Sequence, residues 1–238
     1  MLPLALPRNA AAPLRILCLG AHSDDIEIGC GGTLLQFLAS EANIEVTWVV
    51  FSSSKQRARE ARRSAKLYLE NARRQWVTLH AFRDGFFPFD GANIKKRFEA
   101  LKRVSPDLIF THNRKDAHQD HRMLAELTWN TFRNHLILEY EVPKYDGDLG
   151  QPNLFVPLAR QFCERKVRYL MDAFVTQRSK RWFQKETFLG LMRLRGMECV
   201  APSGYAEAFY CRKMTILQKP ASTTHSGSAS QRTRPKAE

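Results

Sequence analysis

Two short clusters in this chain hold residue types that can do metal and acid–base chemistry together. The first is Ala21-His22-Ser23-Asp24-Asp25, a histidine followed closely by two adjacent carboxylates. The second is Asp116-Ala117-His118-Gln119-Asp120-His121. Neither cluster alone has enough ligands for a metal ion. Together they supply a His, a carboxylate and a second His as ligands, and leave carboxylates and a His for proton transfer. Three protein ligands with an open fourth position is how a catalytic zinc is held for hydrolysis.

The division of labour follows from spacing. His22 and Asp25 can point to one side of a tight turn, and His121 adds a third ligand from far along the chain. The predicted metal ligands are therefore His22, Asp25 and His121. The same donor set also suits non-haem Fe(II). Asp24 is then free to act as general base and to return the proton to a leaving amine. The plainer alternative is that Asp24 or Asp25 caps the following helix, with Glu27 complementing its dipole. His118, as an imidazolium, could stabilise a developing oxyanion. Asp120 completes the predicted catalytic set with a tautomer-fixing hydrogen bond to a neighbouring histidine, and Asp116 can do likewise. His80, His112, His135 and His225 read as ordinary polar residues. Of these, His112 ends a strand and is best placed to line a crevice.

These clusters need elements that bring them together. Residues 14–19 form an apolar run, read as a buried parallel strand. Helical spacing follows over 29–40, a strand over 44–51, a charged helix over 55–71 and a third strand over 75–81. A helix over 94–104, a strand over 108–111, a helix over 121–134 and a strand over 136–142 continue the alternation. It predicts an α/β fold with right-handed connections and a mostly parallel sheet. Both clusters follow strands, so both fall at carboxyl ends, where ligand sites of open α/β sheets lie. Beyond Pro143 the pattern gives a turn at 145–148, helices over 159–177 and 185–195, and a closing strand over 206–217.

The predicted organisation is an extension (1–13), one α/β metal-hydrolase domain (14–218) and a disordered basic tail (219–238). No apolar run approaches the roughly 18 residues of a membrane span. The five cysteines are scattered with no CxxC, which suggests free thiols in a reducing compartment and a cytoplasmic protein. The net charge is +13, but many basic residues, such as Arg59, Arg62, Arg63 and Lys66, sit in a helical pattern that reads as a solvated face. Gly29-Cys30-Gly31-Gly32 lacks the register of a nucleotide loop and reads as close helix packing.

His22-Ser23-Asp24-Asp25 with Gly29-Cys30-Gly31-Gly32 resembles the AHPDD and CGG signature of the PIG-L (LmbE-like) zinc deacetylases. His118-Gln119-Asp120-His121 is similar to their HPDH motif, preceded by Asp116. The resemblance runs from about residue 15 to 217 and includes Ala206-Glu207-Ala208-Phe209. It implies a Rossmann-like three-layer sandwich and hydrolysis of an N-acetyl group on an amino sugar or its conjugate. It also implies zinc on His22, Asp25 and His121, with Asp24 as base and His118 assisting. Arg57 resembles an Arg near the family's substrate, and Lys144 and Asp116 are further candidates for substrate contact. Ser23 and Gln119 stand where proline is usual, and Phe174-Val175-Thr176-Gln177 stands where a His-containing segment is frequent.

The expected partner is a small amino-sugar substrate; the charge leaves open whether it is nucleotide-linked or otherwise anionic, and assembly as a homo-oligomer is left open too. A different amidase acting on a sugar conjugate is the second reading. The third is a basic nucleic-acid-binding protein with a vestigial metal site. A complete set of ligands and base, and the lack of a clustered aromatic-basic motif, argue against it.

Overall fold

The structure is a computed structural model that describes residues 3–5 and 12–215. The expected tail from 219 lies outside the described residues, as do His225 and most of the 1–13 extension.

Seven strands form one sheet: β1 (Leu14–Gly20), β2 (Ile44–Val50), β3 (Arg74–Leu79), β4 (Leu108–His112), β5 (Leu136–Tyr140), β6 (Leu154–Pro157) and β7 (Ala206–Cys211). Their order is β3-β2-β1-β4-β5-β7-β6. The first five are mutually parallel, while β7 runs antiparallel to both β5 and β6. Helices α1 (Asp25–Ser40), α2 (Lys55–Tyr68), α5 (Arg160–Ala173) and α6 (Lys185–Glu198) supply one core face, with Cys18, Trp48, Phe110 and Tyr140 from the sheet. Helices α3 (Gly91–Leu101) and α4 (Gln119–Thr131) pack on the other, against Leu17, Leu19, Val49 and Ile109. Alternate residues of the central strands thus enter opposite layers, and those strands are buried on both faces as parallel strands usually are. No helix among the described residues is long and apolar enough to cross a membrane.

Strand order reverses between β1 and β4. Loops leaving two adjacent strands in opposite directions open a crevice there, and these two strands carry the two polar clusters at their carboxyl ends. α1 is shaped for this crevice. Its backbone breaks at Cys30 (φ −140°), which frees the amides of Gly32 and Thr33 to donate to the Glu207 carboxylate at 2.8 and 2.7 Å. A Cβ on Gly29 would lie 2.1 Å from the Tyr140 ring. Only glycine lets the helix sit this close to β5.

Several expected boundaries move. α1 begins at Asp25, ahead of the expected residue 29, because the turn after β1 runs straight into it. The helix expected over 94–104 is α3 followed by a 3₁₀ turn, Lys102–Val104. The one expected over 159–177 stops at Ala173, and Val175–Gln177 forms a separate 3₁₀ turn. The strand expected to reach residue 142 ends at Tyr140, and the closing strand ends at Cys211, short of 217. β6 escapes a pattern search because it is four residues long, starts two residues after Pro152 and ends on Pro157.

Candidate metal centre and active site

The turn after β1 brings His22 and Asp25 to one side, and the first turn of α4 brings His121 across to meet them. His22 Nδ1 lies 3.1 Å from His121 Nε2 and 3.4 Å from Asp25 Oδ2. His121 Nε2 lies 3.5 Å from Asp25 Oδ2. Ligands at about 2.0–2.1 Å from a tetrahedral zinc stand roughly 3.3 Å apart. The three atoms therefore form a triangle of the right size to hold an ion, with a fourth side open.

Each ligand atom is presented by its neighbours. The other nitrogen of His121, Nδ1, is 2.9 Å from Asp116 Oδ2, which leaves Nε2 as the lone-pair atom. Burial, with the adjacent His112, pushes the His121 pKa down to about 4. The ring is neutral at physiological pH, as a metal ligand must be. His22 Nε2 lies 3.2 Å from Asp120 Oδ2 and 3.0 Å from Asp84 Oδ1, which turns Nδ1 toward the triangle. Burial lowers the His22 pKa, yet the carboxylates of Asp25, Asp120 and Asp84 carry it well above the ordinary histidine value. This pocket holds a positive charge, which a metal cation would supply in place of a proton. Burial pushes the Asp25 carboxyl up, but His121, His112 and His22 together hold it well below the usual range.

Asp24 does not cap α1. Its Oδ1 accepts from Arg57 Nη2 at 2.6 Å, while its Oδ2 is buried with no hydrogen-bond partner. Burial raises its pKa, with Arg57 pulling down and Asp25 adding to the rise. A buried carboxylate oxygen left unpaired beside a cation pocket is fitted to take a proton. Arg57 is itself held by Thr176 Oγ1 at 3.3 Å, and Thr176 bonds Glu60 through both its N–H and its hydroxyl. The segment that departs from the family's usual histidine thus braces the arginine behind the base.

His118 caps α4, its Nδ1 accepting from the Asp120 amide at 3.3 Å. Burial, then the charge of His22, lowers its pKa. That shift disfavours the expected imidazolium, and the capping bond at Nδ1 leaves Nε2 as the nitrogen free to carry a proton. Asp120 has both oxygens engaged, Oδ2 by the Gly85 amide at 2.7 Å and Oδ1 by the Phe87 amide at 3.1 Å, besides His22. It has no exposed surface and holds His22 from behind.

Lys144 is placed differently from the expected substrate contact. Its Nζ lies 3.0 Å from Asp116 Oδ1 and 2.5 Å from Asp148 Oδ2, and Asp148 also accepts from the Ala117 amide at 2.6 Å. Asp116 thus holds His121, one of the two expectations for it, and Lys144 braces Asp116 from behind. Lys144→Met is accordingly expected to weaken metal retention about 10-fold without unfolding the protein. Competition against a chromogenic chelator measures this, and unchanged affinity would show that Asp116 is fixed without the lysine.

Two residues outside the predicted ligands and catalytic groups join the site. His112 is fully buried and its ring stacks on His121 with centroids 3.8 Å apart. Its Nε2 accepts from the Ala21 amide at 3.0 Å and lies 3.1 Å from Asp25 Oδ2, so Asp25, His112 and His121 form a second convergent set. Its position at the carboxyl end of β4 was the available signal. Asp84, three-quarters exposed on the loop after β3, carried no signal in spacing.

The model of the PIG-L family, described as GlcNAc-PI de-N-acetylase, matches residues 17–132. Residues 17–132 are a PIG-L family domain. The match takes in both clusters and every strand from β1 to β4. Among solved structures, the conserved protein TT1542 from Thermus thermophilus is similar at 19% identity and a TM-score of 0.69, over 88% of this chain and 99% of that one. N,N'-diacetylchitobiose deacetylase from Pyrococcus horikoshii is similar at 20% identity and a TM-score of 0.65, over 82% of each chain. GalB, the 4-carboxy-2-hydroxymuconate hydratase from Pseudomonas putida, gives 16% and 0.65, over 87% and 99%. At such identities the likeness is one of fold, and this fold serves both deacetylation and hydration.

Proposed function

We propose that this PIG-L protein is a metal-dependent N-deacetylase that frees the amine of an acetylated amino sugar or sugar conjugate, releasing acetate. The observation that carries the reading is the triangle of His22 Nδ1, Asp25 Oδ2 and His121 Nε2 beside the unpartnered Asp24 Oδ2. We assign zinc to the triangle, with Fe(II) as the alternative. When bound, the ion supplies Lewis acidity toward water and the acetamide carbonyl. Asp24 takes the proton of the attacking water on Oδ2 and delivers it to the departing nitrogen. Arg57 keeps the carboxylate turned for that transfer. His118 offers its Nε2–H to the oxygen that gains charge, as a neutral donor. The substrate enters over the segments around Phe86 and Tyr145, whose exposed aromatic side chains suit the faces of sugar rings. The five free thiols support a reducing compartment such as the cytoplasm.

The deciding experiment pairs metal analysis with acetate release from a panel of N-acetylated sugars and nucleotide sugars, with and without chelator. About one ion per chain and chelator-sensitive acetate release are expected, and His121→Ala should lose the ion. Stoichiometric metal with no acetate from any acetamide, but water added to an unsaturated acid, would move the protein to the hydratases. No metal uptake by the wild type would overturn the assignment.

A further inference from the structure

A second concavity lies away from the crevice and shares no residue with it. α3 is set over the sheet centre. Its Ile94 and Phe98 reach Val49 and Phe51 of β2, but no residue of β3 enters that core. The face of β2 and β3 on this side is left open, where Thr47 pairs with Trp76 and Val49 with Thr78. These four residues floor a groove of about 560 Å³, walled by Arg97, Leu101 and Arg103 of α3 and the turn after it. The volume is that of a small-molecule site.

The chemistry of the lining is specific. Trp76 is 48% exposed on the floor, with Thr47 opposite it on β2 and Thr78 two residues along β3. Arg97 and Arg103 make no ion pair with a described acid, and Arg103 bonds only the Ala100 carbonyl, at 2.9 Å. Arg15 lies at one end, held loosely by Asp107 at 3.8 Å. Glu45, the groove's one acid, faces Arg74 at 3.9 Å. At the other end His80 feels Arg97, whose charge adds to burial in lowering its pKa. A planar stacking floor with hydroxyl groups, under an arm of unneutralised guanidinium groups, complements a ligand that is aromatic at one end and multiply anionic at the other.

We propose that this groove binds a nucleoside phosphate, with the base stacked on Trp76 and the phosphates on Arg97 and Arg103. The deacetylase reading does not enter the argument. The site offers the enzyme a second ligand, independent of its substrate.

Calorimetric titration of the full chain with ADP, adenosine and tripolyphosphate tests this. Saturable ADP binding is expected, tighter than for either half-ligand, and accompanied by a change in tryptophan fluorescence. Trp76→Thr and Arg97→Ala should each weaken it about 10-fold and leave acetate release unchanged. Three results would overturn the proposal. Tripolyphosphate binding as well as ADP would reduce the site to a field of charge. ADP affinity unmoved in Trp76→Thr but lost in His121→Ala would locate the nucleotide in the crevice. No ADP binding, with Trp76→Thr converting a dimer into a monomer, would make the groove an interface between copies.

Discussion

Asp24→Asn is expected to lower acetate release by about 10²–10⁴-fold, the usual worth of a positioned general base, while the protein keeps its metal. The substitution preserves shape and leaves Arg57 a carbonyl oxygen to bond. What it removes is the proton acceptor at Oδ2, the oxygen that no other group in the fold engages. Asp25 differs in kind, since its Oδ2 is already the meeting point of the His22 amide, at 2.6 Å, and three imidazoles. Asp25→Asn should therefore lose the ion. Metal analysis of both variants beside their turnover separates the roles. If Asp24→Asn sheds the ion and Asp25→Asn retains it, the assignments are exchanged.

Glu27→Gln is expected to stabilise the protein, and more so at high pH. Glu27 is fully buried on α1, and both carboxylate oxygens lack a hydrogen-bond partner. The Ser64 hydroxyl is near enough to pull its pKa down, but makes no hydrogen bond of normal geometry. Burial dominates, with Asp24 and Asp25 adding repulsion, and raises the carboxyl from 4.5 to about 8. Between those values the folded protein keeps a proton that the unfolded chain has released. Stability is thus undiminished below the lower value, falls as pH rises through the interval, and levels off above about 8. At pH 7 the penalty is about 3 kcal/mol, which glutamine avoids. Urea unfolding of both proteins at pH 5 and pH 8 should show a gap that widens with pH. A gap of the opposite sign at pH 8 would mean that something in solution, such as a bound cation, neutralises Glu27.

The sheet, its parallel half and the two clusters were legible in the sequence because β1, β4 and β5 are largely apolar and a polar cluster follows each of β1 and β4. So was the meeting of His22, Asp25 and His121, since strands with helices between them bring their carboxyl ends to one edge. The hydrogen bond between Asp116 and a neighbouring histidine was anticipated as well, but the place of Lys144 was not. A lysine near a site reads as an anion binder, and only the fold of residues 141–148 against the second cluster turns it toward Asp116. The strand-end position marked His112 as the histidine best placed to line the crevice, but not its stacking on His121. β6 escaped because four residues ending on a proline carry no period. Asp84 comes from a loop whose path is set by the Gly85 and Phe87 amides bonding Asp120, a contact that spacing cannot reveal.

The position of β7 bears on how the protein is made. It lies between β5 and β6, yet both of those precede it in the chain. Its Glu207 accepts from the Gly32 and Thr33 amides and meets the buried Lys166 Nζ at 2.6 Å. A nascent chain that has emerged only as far as α5 must therefore carry an uncompensated ammonium group and two bare amides in its interior. The five parallel strands and the crevice residues can gather while synthesis continues, but the sheet closes only when residues 206–211 slide into the waiting gap. Such late, long-range insertion is slow and leaves strand edges open to mispairing. Chains stalled or cleaved between α5 and β7 would be expected to populate a loose state that already has its metal ligands in place and awaits a single strand.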